Sequence, residues 1–173
     1  LYGGETAGVV GCGAIGLGTL QALKASGATH VFAADLLPER EALAVTLGAE
    51  SGAPEPHTPH TLDVAAECAG TPESLKMALE WVRPGGTVLV VGIPDEDTLT
   101  LTASGVRRKG LTLKFVRRYR HSFPRALQWT AEGKINVKAF ITHRFPLERT
   151  REAFDLAASR KDGVIRAWVA LRD

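Results

Sequence analysis

Sulfur is scarce in this chain: two cysteines and one methionine in 173 residues. Cys12 and Cys68 stand alone in apolar stretches, and neither belongs to a C-x-x-C pair. A disulfide framework is therefore not expected, and a reduced, cytoplasmic setting is. Charge of one sign is missing too. Twenty-one Lys and Arg against 19 Asp and Glu leave a net charge of +2, which argues against nucleic acid as a partner. No apolar run approaches membrane-spanning length, and none resembles a signal peptide, so no membrane partner is expected. There is no G-x-S-x-G, and no Cys/His constellation suited to nucleophilic catalysis. His57 and His60 form H-x-x-H inside a proline-rich stretch without a third ligand nearby, so no metal is assigned there. His30, His121 and His143 are scattered. Internal repeats and low-complexity segments are absent. The chain starts at Leu1 rather than Met, which reads as a fragment, a processed chain or one missing residues.

What is present is concentrated near the start. Residues 7–16 read as a buried strand, a glycine-rich turn and the opening of a helix. Gly11, Gly13 and Gly16 fit G-x-G-x-x-G. The first glycine permits the tight turn, the second lets backbone approach a pyrophosphate, and the third brings the helix close to the strand. The helix start offers unpaired N–H groups to an anion. A helix over 15–27 follows, then a second buried strand, 30–35, that ends in Asp35. A carboxylate there accepts hydrogen bonds from both ribose hydroxyls and repels a 2′-phosphate, which favours NAD over NADP. The alternative is that Asp35 caps the helix starting near Pro38; after a strand and the glycine motif, the ribose is preferred.

Further along, residues 38–47 read as a helix and 51–62 as a proline-rich loop, too short for a full third strand and helix. Residues 63–70 form the next strand. Thr71 caps a helix with Pro72 in its first turn. Residues 83–86 read as a turn and 87–93 as an apolar strand. The alternation of 98–102 suggests a short edge strand. A strand over 111–116, suited to subunit pairing, and a helix over 122–132 complete the series. The order strand, helix, strand, repeated, predicts an α/β fold: a Rossmann-type, doubly wound, mostly parallel sheet with one shortened edge unit. A C-terminal strand, helix and strand append to it. We expect a dinucleotide-binding domain over 1–138, and a segment over 139–173 with more apolar surface than a tail needs.

Together and in order, these residues resemble the zinc-type medium-chain dehydrogenases, above all the sorbitol (polyol) dehydrogenase branch. The resemblance rests on the Gly11–Gly16 turn, Asp35, Glu67 to Gly70, Arg83 to Gly86, the Arg118-Tyr119 pair, Lys134 to Lys138, and Thr142 to Glu148. It implies NAD as cofactor, a small alcohol or polyol as substrate, hydride transfer from a secondary alcohol, and a homo-oligomer. It also implies site residues. Gly11, Gly13, Ala14, Ile15 and Gly16 would border the pyrophosphate, and Asp35 and Arg40 the adenosine. Ala69, Gly70, Val91, Gly92 and Ile93 would flank the cofactor towards the nicotinamide, with Arg118 and Tyr119 near the substrate. Catalytic zinc and its ligands would sit in an N-terminal domain not contained here, so no catalytic residue is assigned and this chain alone is expected to be inactive. Arg117 replaces the family's usual Phe before the Arg-Tyr pair, and Arg120 follows it, so the resemblance does not define the substrate. Glu67 reads equally as a functional carboxylate or as a strand-end hydrogen-bonding group. A zinc-free quinone or enoyl reductase-type domain, or a non-catalytic dinucleotide-binding module, stand as alternatives.

Overall fold

The computed structural model describes residues 3–53, 61–94, 96, 98–119 and 121–171. His57, His60 and Arg120 lie outside them. The chain divides into two compact units, Leu1–Ile135 and Asn136–Asp173.

In the first unit the elements alternate as β1 (Thr6–Val10), α1 (Ala14–Ala25), β2 (His30–Ala34), α2 (Pro38–Thr46), β3 (Glu50–Ser51), β4 (Leu62–Glu67), α3 (Pro72–Trp81), β5 (Val82–Val90), α4 (Ala103–Lys109), β6 (Thr112–Phe115) and α5 (Phe123–Ala131). The sheet order is β3-β2-β1-β4-β5-β6, and every pair is parallel. Connections run one way from β1 to β3 and the other way from β4 to β6. Right-handed crossovers then put α1 and α2 on one face and α3 and α4 on the other. The direction reverses between β1 and β4, where the carboxyl ends of an open parallel sheet leave a crevice.

Burial on both faces explains the composition of the central strands. Ala7, Val9, Ala65 and Val88 are fully buried. Gly8 is small for a packing reason: a Cβ there would stand 2.6 Å from Leu62 and 2.7 Å from Trp81. That space lets Trp81, 6% exposed, close the α3 side of the core with Leu62, Leu75 and Val90.

The shortened edge unit is present, since β3 is only two residues long. The turn over 83–86 lies inside β5, where Leu62 pairs with Val82 and Val64 with Thr87, so the intervening residues bulge out. The expected strand over 98–102 does not form. Its place beside β5 is taken by β6, with Val90 opposite Phe115. A parallel neighbour demands a crossover, and α4 supplies it.

At the amino end of the sheet, Asp63 ties three elements. Its carboxylate accepts from the Thr6 N–H at 2.8 Å, the Thr6 hydroxyl at 3.1 Å and Arg83 Nε at 2.8 Å. Burial opposes the charged form, but these hydrogen bonds outweigh it and hold the carboxyl below its usual range. A group depressed on folding stabilises the protein above its unfolded pKa, and that contribution disappears as pH falls through the folded value. Asp63→Asn is therefore expected to lower stability at neutral pH and flatten the acid limb of a urea-midpoint-against-pH curve. An unchanged acid limb would remove Asp63 as its source.

The second unit holds a 3-10 turn (Val137–Phe140), β7 (Ile141–Pro146), a second 3-10 turn (Leu147–Arg149), α6 (Thr150–Ser159) and β8 (Arg166–Ala170). β7 and β8 pair in parallel, and α6 packs on both. Ala153 and Val164 are buried, whereas Leu147, Phe154, Trp168 and Leu171 are exposed.

Candidate functional site

The glycine motif separates into two glycines explained by protein packing and one that is not. Gly11 has φ +95°, and a Cβ there would stand 2.9 Å from Ala69 N and Cβ. Its N–H donates to Ala34 O at 2.8 Å. A Cβ at Gly16 would collide with Gly11 O. Gly13 is different. It precedes α1 in an extended conformation, and the nearest atom to a Cβ there is Arg40 Nη1 at 3.9 Å. No side chain caps α1, and its first turn carries no acid. The first N–H groups of a helix have no intrahelical acceptor and carry partial positive charge. The result is an open cradle of donors, with Ala14 and the half-exposed Ile15 at its start, that suits a pyrophosphate.

Asp35 sits just past β2. One carboxylate oxygen accepts from the Cys12 N–H at 2.6 Å and the other from the Leu37 N–H at 2.9 Å. It does not cap α2, whose preceding residue is Leu37. It joins the glycine turn to the entry of α2, and each oxygen retains acceptor capacity for a hydroxyl. Leu36, 97% exposed, stands beside it.

Across the switch point, Glu67 is 2% exposed at the end of β4. One of its oxygens accepts from the N–H groups of Ala69 and Gly70 and from the Ser74 hydroxyl, each at 2.7 Å. Its backbone carbonyl accepts from the N–H groups of Val91 and Gly92 at 2.9 Å. Ser74 in turn shares a reciprocal capping box with Thr71. Of its two open readings, the structure gives Glu67 the strand-end hydrogen-bonding role. The turn after β4 and the exit of β5 are so close that a Cβ on Gly92 would stand 2.6 Å from the Glu67 carboxylate and one on Gly70 would collide with Ile93 O. Ile93 itself is 89% exposed.

Gly11 with Ala69, Gly13 with Arg40, and Gly70 with Gly92 and Ile93 thus form one continuous line along the carboxyl edge. Beyond β5 the line opens into a groove of about 410 Å³ bordered by Val91, Ile93, Pro94, Leu99, Phe115 and Val116. Arg118 and Tyr119 follow β6 and are exposed. The structure brings neither into a hydrogen bond with the other candidate residues.

The two thiols lie within this region without being reactive. Burial first, then the charge of Asp35, pushes Cys12 up to about 12. Burial likewise pushes Cys68 up to about 12, against a hydrogen bond with Thr19. Neither is a thiolate near neutrality. Sequence reading missed the linking roles of Cys12 N–H, Leu37 N–H and Ser74. Only Ser74 had a local signal, three positions after Thr71. Among the described residues no group of three or more His, Cys, Asp or Glu is placed to hold a metal ion, and no helix is long and apolar enough to cross a membrane.

Residues 14–132 match the family described as zinc-binding dehydrogenase. Sorbitol dehydrogenase of Bacillus subtilis (strain 168) is 31% identical over 180 residues, taking in 98% of this chain and 51% of that protein. The crystal structure of 2R,3R-butanediol dehydrogenase from Bacillus subtilis superposes with a TM-score of 0.86 at 29% identity, over 99% of this chain and 52% of that one. A protein of Sinorhizobium meliloti 1021 solved with NADP bound gives a TM-score of 0.83 at 26% identity, over 96% of this chain and 52% of the other. The chain spans about half the length of the relatives it matches.

Proposed function

Because this chain belongs to the zinc-binding dehydrogenase family, we propose that it is the NAD-binding part of an alcohol or polyol dehydrogenase. The observation that carries the proposal is the uncapped start of α1 behind Gly13, a cradle of N–H donors left open among the described residues. The pyrophosphate would rest there. Asp35 would accept the adenosine ribose hydroxyls while still holding Cys12 and Leu37. Arg40 would lie along the adenosine. Ala69, Gly70 and Val91–Ile93 would border the nicotinamide, which when bound supplies the hydride acceptor. The Glu67 clamp would hold that wall in place, and the apolar groove beside it would keep water from the reacting carbon.

The described residues do not form a zinc ligand set, so the group that polarises the alcohol oxygen is proposed to lie outside them. Alone, the chain is expected to bind dinucleotide and oxidise alcohols negligibly. The exposed Phe154, Trp168 and Leu171 of the second unit suit a surface that packs on such a catalytic half. A second copy is the proposed partner along the outer edge of β6, and the two unpaired thiols fit a cytoplasmic setting.

A paired titration tests this reading. NADH is expected to bind at least ~10-fold more tightly than NADPH, because a ribose acid meets the 2′-phosphate as a like charge. Asp35→Asn keeps an acceptor for the Cys12 N–H and should bring the two affinities together. An unchanged ratio would take Asp35 out of the ribose site, and failure of the parent chain to bind either nucleotide would end the reading.

A further inference from the structure

Among the described residues one charged side chain is buried, that of Glu67. No Lys, Arg or His among them forms an ion pair with it. Taking a carboxylate out of water without a counter-charge is costly. A buried, unpaired anion therefore calls for a reason beyond packing.

The hydrogen bonds meet only half of the group. Ala69 N–H, Gly70 N–H and the Ser74 hydroxyl all donate to Oε1, each at 2.7 Å. These donors are neutral, and a glutamine oxygen could accept them in the same way, so the clamp by itself does not call for a negative charge. Oε2 accepts no hydrogen bond from the described residues. It lies against Gly92, 2.6 Å from where a Cβ on that residue would stand, with Gly70 N and Cα on the same side. Gly70 and Gly92 belong to the wall assigned above to the nicotinamide. Because neither carries a side chain, the anion approaches that wall as closely as backbone allows.

A nicotinamide ring is cationic when oxidised and neutral when reduced. Accepting hydride from the alcohol carbon, two electrons and a proton together, cancels the ring's charge. The two forms share the pyrophosphate, the riboses and the adenine, so contacts to those parts do not tell them apart. A fixed anion beside the ring does, and burial keeps that interaction strong.

We propose that the Glu67 carboxylate biases the site towards the oxidised cofactor: its charge strengthens binding of NAD+ relative to NADH and lowers the midpoint potential of the bound couple. The proposal rests on the dinucleotide reading above, with the nicotinamide at Gly70 and Gly92.

For the test, NAD+ and NADH are titrated separately into the chain by calorimetry at constant ionic strength. The ratio of their dissociation constants is compared between the parent, E67Q and S74A. E67Q is expected to shift the ratio ~10-fold against NAD+, about 30 mV for a two-electron couple. S74A takes one donor from the same carboxylate and keeps the charge, so it should weaken both forms alike and leave the ratio unchanged. An unmoved ratio in E67Q, a shift against NADH, or the same shift in S74A overturns the inference and leaves the cofactor reading intact. Thermal melting checks that E67Q is folded, and E67N takes its place if it does not melt cooperatively. A chain that tolerates neither makes the charge structural and overturns the inference too. Failure of the parent chain to bind either nucleotide removes both readings.

Discussion

Gly13→Val is expected to abolish dinucleotide binding and leave the fold standing. The protein itself has no use for the missing side chain, since a Cβ at this position meets only Arg40 Nη1 at 3.9 Å. Its backbone, φ −68° and ψ −176°, is open to valine. Losing glycine before the helix costs about 1 kcal/mol, which a domain of this size tolerates. A branched side chain in the cradle displaces the pyrophosphate from its donors, and we expect affinity for NADH to fall at least ~100-fold, about 2.7 kcal/mol. Gly16→Ala makes the contrast. Its methyl would collide with Gly11 O, so this smaller change should destabilise the protein as well as the site. Titration of NADH alongside thermal melting reads both. A Gly13→Val chain that binds normally would refute the phosphate-loop assignment.

Glu67→Ala should be the most destabilising change among the candidate site residues. It removes the acceptor shared by Ala69 N–H, Gly70 N–H and the Ser74 hydroxyl. At 2% exposure no bulk water replaces it. Stranding these donors costs about 3–5 kcal/mol, a large share of the stability of a domain. Glu67→Gln retains an acceptor oxygen of similar reach and should lose about 1–2 kcal/mol. Urea denaturation separates the two. Equal, small losses would show that the clamp contributes little.

How much of this was legible in the sequence depended on how local each cause is. The glycine turn and Thr71-Pro72 are read within a few residues, because capping and tight turns are settled there. Asp35 was legible as an acid at a strand end. Its bond to the Cys12 N–H spans 23 positions, and only the pairing of β1 with β2 creates it. The strand expected over 98–102 had the right alternation, but a strand also needs a free edge, and β6 had taken it. α4 was invisible for the opposite reason. It is seven residues long, contains Gly105 and buries no residue. The crossover requires it, and Lys109 anchors its end on Leu79 O at 2.6 Å and Val82 O at 2.9 Å. Glu67 stayed ambiguous because alternation along a strand does not say where a side chain turns after the last pleat.

The sheet's two margins are unequal, and that sets a limit on self-association. Unpaired strand margins are templates for uncontrolled growth. Here one margin, β3, offers two residues, while β6 offers four. A two-residue strip is too short to recruit another strand firmly. Copies that meet through β6, related by a two-fold axis, would consume the only extended margin described in each sheet and leave blunt ends outward. Growth through the six-stranded sheet would then end at a pair, whereas a sheet with two long margins could continue as a ribbon.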